Sequence, residues 1–370
     1  MTTLWSKQPF KATFITFHIF RTLAILPWLL IRYAPKSARP YPEWSMKQCV
    51  INAIVRQLMV YHTTTRSNAM SAVLSDHKKA GERHALASPA KAELYSGILV
   101  SDVAKPAAVG GLWYPAPPSE TSPDDIAGEK IALHFPGGAF VLAYGSEMYG
   151  KPVSDAMSKY LKVARTFFAQ YRPSADDATR FPAALQDVVT FYNYILSLGY
   201  KPQNIILSGD SAAGNLIVAL LRHLEGQTDL PLPSAAILWS PWVHVTRQAG
   251  ADYSACKNAA VDCLTSDILQ WGAENYYPKH SPTAEEQAYI SPLHHPFRTS
   301  VPLFVQGGTT EAIYDTIEEF AREMAGVEGN GVRFHPTEFT THNLIMAYQG
   351  VGLDAQVQRA FEDFLRFLEG

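Results

Sequence analysis

The sequence predicts an α/β fold: a mostly parallel central sheet with helices on both faces and a mostly helical cap. Three observations carry this expectation. From Lys130 onward, short β-rich runs alternate with segments of helical period, as strand–crossover–strand units do. One of those runs, Ile205-Ile-Leu207, passes through a tight Ser-Gly-Asp-Ser corner into apolar residues at helical spacing, namely Leu216, Ala219, Leu220 and Leu224. The chain is also long and apolar enough, at 370 residues and 47% hydrophobic, to bury a large core and carry an appended cap.

Taken in order, the elements begin with a mostly apolar segment from Phe10 to Ile31, a Pro-rich break at Arg39-Pro-Tyr-Pro42, and an amphipathic helix from Met46 to His62. A polar run follows to about Pro89. Ile98-Leu-Val100 and Gly111-Leu-Trp-Tyr114 read as strands of an antiparallel sheet edge, and Pro115 to Gly128 as a surface loop. Further strands are expected at Ile131–Phe135, Val163–Tyr171, Ile205–Leu207, Ala235–Trp239, Pro302–Gln306 and Val332–Pro336. Helices are expected at Ser146–Tyr160, Phe181–Leu198, after Ser211, and near Asp354–Leu368. The alternation is interrupted between Trp242 and about Pro292 by an aromatic, polar insertion. The expected organisation is therefore a first cap segment over residues 1–90, a catalytic domain over 91–370, and a second lid insertion at 243–290.

Composition excludes several function classes. A net charge of -3 offers no basic surplus, so nucleic acid is not an expected partner. Three cysteines, Cys49, Cys256 and Cys263, are too few for a disulfide framework and read as free thiols, with a Cys256–Cys263 bridge as the alternative in an oxidising compartment. With no His-Glu-x-x-His, no Cys-x-x-Cys pair and no phosphate-binding glycine loop, no metal and no cofactor is expected.

The segment from residue 10 to 32 departs from a plain soluble enzyme. A clean spanning helix wants about 20 apolar residues without a central charge, whereas Arg21, His18 and Pro27 interrupt this one. Flanking Lys7, Lys11 and Arg32, with Trp28, fit an interfacial anchor or a signal-anchor, and no small-residue cleavage site follows. The expectation is membrane association, at the endoplasmic reticulum or another intracellular membrane. The alternative is a cytoplasmic protein whose first helix packs on its own apolar mouth.

The corner at Ser211 is the chemical centre of the sequence. A serine on a strained strand-to-helix turn projects its hydroxyl from the sheet, at a helix N-terminus that favours developing negative charge. Gly209 is expected to supply the backbone freedom that the turn needs. A serine hydroxyl is a poor nucleophile near neutral pH, so it needs a base, an orienting acid and donors for an oxyanion. The corner resembles the nucleophile elbow of α/β-hydrolases, which implies the chain order serine, acid, histidine, with the acid after a late strand and the histidine after the last one. Glu311 stands directly after the strand ending at Gln306, with Asp315 one helical turn further as the alternative acid. His342 stands just past the final strand, whereas His134, His244, His294, His295 and His335 read as structural. Gly137, Gly138 and Ala139, in the turn after Phe135, are the expected oxyanion donors together with Ala212.

These residues resemble the hormone-sensitive-lipase-like branch (family IV esterases and lipases) of the α/β-hydrolase fold, in particular its fungal members of secondary-metabolite pathways. The resemblance covers about residue 95 to the C-terminus. It rests on Gly209-Asp-Ser-Ala-Ala-Gly-Asn215, on Tyr171-Arg172 with Phe181-Pro-Ala-Ala-Leu-Gln-Asp187, on Ser240-Pro-Trp242 and on Ile290-Ser-Pro292. Three departures stand out. Pro136 replaces the histidine of that family's His-Gly-Gly-Gly turn, with Ala139 for its last glycine; Ala213 replaces a glycine of the serine signature; and Glu311 replaces the usual aspartate.

The resemblance implies a serine carboxylesterase acting on an acetyl ester or lactone of an apolar small molecule through an acyl-enzyme. Two alternatives stand beside it: cyclisation or acyl transfer in the same pocket with water excluded, and a catalytically inactive ligand-binding protein of the kind that loses the histidine. His342 weighs against the second. The sequence does not set an oligomeric state.

Overall fold

The computed structural model describes residues 4–66, 81–118, 122–226 and 230–370. Eight strands form one sheet: β1 (His84–Ala87), β2 (Val109–Tyr114), β3 (Ile131–Phe135), β4 (Arg165–Ala169), β5 (Ile205–Asp210), β6 (Ala235–Trp239), β7 (Leu303–Gly308) and β8 (Val332–Thr337). Their spatial order is β1-β2-β4-β3-β5-β6-β7-β8. β2 runs antiparallel to both β1 and β4, and every other pair is parallel.

The central strands read as near-continuous apolar runs because both faces are covered. In β3, Ile131, Leu133 and Phe135 pack into the larger core while Ala132 joins the core on the other face, the period of two expected of a strand. The larger core is closed by α5 (Ala183–Ser197), which buries Ala184, Leu185, Val188, Phe191 and Ile195, and by α6 (Ala212–Gly226). The other is closed by α4 (Glu147–Ala156), α11 (Leu344–Val351) and α12 (Asp354–Glu369), whose Val357, Ala360, Phe361 and Phe364 recur at helical spacing.

A buried ion pair ties β4's exit to α5. The Asp187 carboxylate, wholly buried, accepts two bonds from Arg172 Nε at 3.0 and 2.9 Å, one from Nη2 at 2.7 Å and one from the Arg172 backbone N–H at 2.8 Å. Burial still pushes its pKa to about 6 against the pull of that guanidinium.

The cap has two parts. From the N-terminus, α1 (Phe10–Tyr33) packs along α2 (Met46–Thr65), whose N-cap Ser45 accepts from Gln48 N–H at 3.0 Å. From the insertion come α7 (Ala249–Ala255), α8 (Ser266–Tyr276) and α9 (Ala284–Ile290). α2 touches both α8 and α11 and so bridges the two parts over the C-terminal end of the sheet.

Several expectations need correction. The sheet begins at His84, inside the stretch assigned to the cap: His84–Ala87 pairs with β2 and buries Ala87, but four residues are too few for an alternating pattern to show in the sequence. Ile98-Leu-Val100 is not a strand: Gly97–Leu99 is a 3₁₀ turn. Part of the expected loop before β3 is a short helix, α3 (Pro123–Gly128), capped by Ser122. Residues 67–80 of the polar run lie outside the described residues.

Removing one partner of the Arg172–Asp187 pair leaves an uncompensated buried charge, so Arg172→Met is expected to cost about 3–5 kcal/mol. Urea unfolding should show the fall in midpoint, and adding Asp187→Leu should recover part of it.

Candidate active site

β5 ends at Asp210 and α6 starts at Ala212, which leaves Ser211 alone at the corner with φ of 53°. A non-glycine residue there is strained, and the surroundings enforce it. The Ser211 N–H donates to the Trp239 carbonyl at 2.9 Å, and its own carbonyl accepts from Trp242 N–H at 2.9 Å. Gly209 serves the corner differently from the expectation. The positive φ belongs to the serine; a Cβ on Gly209 would lie 2.7 Å from Ile217 Cδ1 and 2.9 Å from the Ala213 carbonyl, so glycine is needed for close strand–helix contact.

His342 Nδ1 lies 2.8 Å from Glu311 Oε2, both residues being buried. With Nδ1 donating to the carboxylate, Nε2 is left as the basic nitrogen. Glu311 Oε1 accepts from the Gly308 N–H at 2.5 Å, which fixes the carboxylate at the end of β7. The glutamate's longer arm thus folds back onto its own turn. Asp315 sits exposed in the first turn of α10 (Tyr314–Ala325), and the structure does not bring it to His342. Ser211 and His342 line one cavity.

Of the expected oxyanion donors, Gly138 and Ala139 line that cavity beside Ser211, and Ala212 heads α6, where the first-turn N–H groups have no helical partner. Gly137 does not join them: its N–H donates to Asp210 Oδ2 at 3.0 Å and is already engaged.

Two buried carboxylates missed in the sequence organise this site. Asp210 accepts from Gly137 N–H and, at 2.5 Å, from Asn343 Nδ2, so one side chain joins the glycine turn to the histidine loop. Its other oxygen lies 3.3 Å from His134 Nε2, while His134 Nδ1 meets Ser208 Oγ at 2.9 Å and the ring stacks on Phe168. Asp262, from the insertion, accepts from Cys263 N–H at 2.7 Å, from Ala312 N–H at 2.9 Å and from His342 N–H at 3.2 Å. It therefore links the insertion to the residue after Glu311 and to the histidine itself. Asp210 adjoins Ser211 and could have been noticed by position. Asp262 lies in a stretch with no periodic signal, and only long-range contacts reveal it.

The electrostatics follow from these neighbours. Burial pulls the His342 pKa down, but the hydrogen bond and charge of Glu311, with the charges of Asp262 and Asp210, outweigh it and hold the imidazole above its usual value. Cys263 also lines the cavity; burial, then the charges of Asp262 and Glu311, push its thiol well up and disfavour the thiolate. All three cysteines are free.

The cavity measures about 250 Å³ and is mostly apolar. α2 contributes Ile51, Val55, Leu58 and Met59, α8 contributes Ile268 and Leu269, and α11 contributes Met346 and Val351. Among the described residues, the one group that gathers potential metal ligands is His294, Glu319 and Glu323, away from this cavity and partly exposed. His294 Nδ1 already pairs with Glu323 there at 2.8 Å.

Comparison with known proteins follows the same outline. Residues 132–346 match the family described as alpha/beta hydrolase fold. An acetyl-hydrolase of Streptomyces hygroscopicus is 31% identical over 186 residues, which cover 50% of this chain and 58% of that protein. An esterase of Acinetobacter venetianus is 29% identical over 196 residues, covering 53% and 61%. The chain thus spans about three fifths of the length of these curated relatives. The solved structure of an esterase from the bacterial hormone-sensitive lipase (HSL) family superposes with a TM-score of 0.59 over 88% of this chain and 99% of that one; at 22% identity this likeness concerns the fold alone.

A Cβ on Gly137 would lie 2.6 Å from Asp210 Oδ2, 2.8 Å from its carbonyl and 2.9 Å from Ser211 Cβ. Gly137→Ala is therefore expected to destabilise by about 1–3 kcal/mol as the corner shifts to admit a methyl group. Thermal unfolding would measure this.

Proposed function

The chain belongs to the alpha/beta hydrolase fold family, and from that premise we propose that it is a serine carboxylesterase acting on small apolar esters. One observation carries the reading: His342, held by the buried Glu311 at 2.8 Å, shares a mostly apolar cavity with a serine held at φ of 53°. The relatives named acetyl-hydrolase and esterase support the same reaction class.

In this reading Ser211 Oγ adds to the ester carbonyl carbon and its proton passes to His342 Nε2. The oxyanion accepts hydrogen bonds from the Gly138, Ala139 and Ala212 N–H groups. The carbon–oxygen bond to the leaving group then breaks, and the imidazolium gives its proton to the departing alcohol. Water repeats the cycle on the acyl-enzyme: His342 takes a proton from the water, the acid leaves, and Ser211 recovers its hydrogen. Glu311 holds the tautomer and stabilises the imidazolium. Ala139 keeps the N–H donor that a glycine would offer, so Pro136 and Ala139 leave the donor count intact. The natural substrate in this reading is an acetyl ester or lactone of an apolar small molecule of the kind secondary metabolism makes.

Turnover of p-nitrophenyl acetate tests the assignment. Ser211→Ala and His342→Ala are expected to lose about 10⁴-fold or more in kcat, and Glu311→Gln about 10²–10⁴-fold, while Asp315→Asn keeps wild-type activity. A wild type that labels at Ser211 with a fluorophosphonate yet forms product without taking up solvent oxygen would replace hydrolysis by acyl transfer.

The base must be neutral to act, and three carboxylates face it: Glu311, Asp262 and Asp210. The acid limb of kcat/KM is therefore expected above the ordinary imidazole value of about 6.5, with activity falling as pH drops through the raised pKa. Asp262→Asn removes one of those charges and should move that limb to lower pH. An unmoved limb would show that Asp262 has no electrostatic effect on the base.

A further inference from the structure

A helix on the surface of a water-soluble protein turns its polar face outward. α1 is the reverse. Its outward line is Phe17, Phe20, Leu23, Trp28 and Ile31, exposed by 62%, 67%, 61%, 51% and 75%. Two of its interrupting polar residues meet α2: His18 is buried between Phe14 and Tyr61, and Arg21, itself solvent-exposed, donates from Nη1 to Gln57 Oε1 at 2.7 Å. Cations stand near the ends of the apolar stripe, Lys7 and Lys11 before it and Arg32 after it, the last with its guanidinium 4.9 Å from the centre of the Trp28 ring. An amphipathic aromatic and a cation at the edge of an apolar stripe fit the headgroup level of a bilayer.

We propose that the outer face of α1 is a lipid-bilayer docking surface and that α1 lies along the membrane, bound to α2, without crossing it. Length and hydropathy alone would let Phe10–Tyr33 span. The packing argues against that. Spanning would separate α1 from α2, strip Arg21 of Gln57 and leave a guanidinium near mid-helix in hydrocarbon. Lying flat keeps every one of these contacts and gives lipid only the stripe from Phe17 to Ile31, about 21 Å long at 1.5 Å per residue. A soluble second copy would have no use for cations at the stripe's ends, whereas an anionic headgroup layer complements them.

The geometry also connects this surface to the cavity. α2 packs on α1 with one side and walls the cavity with another, and its Leu58 is both solvent-exposed and part of the lining. The cavity's α2 wall therefore stands next to the lipid-facing helix, so docking would hold the cavity beside the bilayer, where an apolar ester concentrates. This last step rests on the esterase reading; the docking surface does not.

The test is co-sedimentation of the full chain with preformed vesicles of phosphatidylcholine and phosphatidylserine. Wild type is expected to bind, and the triple variant Phe17→Ser, Phe20→Ser, Leu23→Ser to bind at least ~100-fold more weakly, with an unchanged thermal unfolding midpoint as proof of folding. Ser211→Ala should bind as wild type does, so a failed esterase reading leaves this result intact. Two results would overturn the proposal. Protection of the first residues from added protease, with resistance to carbonate extraction, would mean that α1 spans. Absence of vesicle binding, with a wild-type dimer that the triple variant dissolves, would make the occupant a second copy.

Discussion

Ser211 can hold a left-handed backbone only because everything around it leaves no alternative. Its N–H and carbonyl are both fixed to the segment running from β6 to Trp242, β5 feeds it from a fully buried strand, and α6 starts at the next residue. Strain of this kind persists when the rest of the structure over-determines it. The consequence reaches outward: Gly209 must be glycine for α6 to pack on β5, and Gly137 must be glycine for the next turn to approach the corner. The serine and the proposed oxyanion turn are thereby one rigid unit.

Around that unit the chain buries more negative charge than a neutral core would tolerate. Glu311, Asp210 and Asp262 are almost wholly inaccessible, and each is answered by hydrogen bonds: from His342 and Gly308, from Gly137 and Asn343, and from Cys263, Ala312 and His342. Backbone N–H donors satisfy a carboxylate without adding charge. The three acids thus favour a proton on His342 while also fastening the loops that carry it. Asp262 extends this to the insertion after Trp242, tied to the histidine by the same side chain. Arg56 of α2 adds a tie from the other cap segment, donating to the carbonyls of Ala259, Asp262 and Leu264.

The cap follows a different logic from the sheet. In the sheet, apolar residues face inward on both sides; in α1 a line of them faces outward, while His18 is buried and Arg21 is bonded to Gln57 of α2. A cavity walled by α2, α8 and α11 and an outward apolar helix packed on the same α2 are two uses of one element. This coupling gives the N-terminal segment a part in substrate access as well as in anchoring, in the reading proposed above.

The strands after Lys130 and the corner at Ser211 were legible in the sequence because each is local, and the pairing proposed for Glu311 and His342 was legible from their places after the last two strands. A parallel strand buried on both faces is a short apolar run, a tight corner needs small residues, and chain order survives unfolding. Glu311 and Asp315, four residues apart, could not be separated by pattern; the turn that folds the glutamate back onto Gly308 and leaves the aspartate exposed did that. The departure of Gly137 from the donor set depends on Asp210 reaching across from another strand. The edge strand at His84, with four residues, is too short for an alternation to show in the sequence. Asp262 and the two-sided role of α2 belong wholly to tertiary structure: their meaning lies in contacts between residues 36 to 291 positions apart, and a one-dimensional pattern records no such distance.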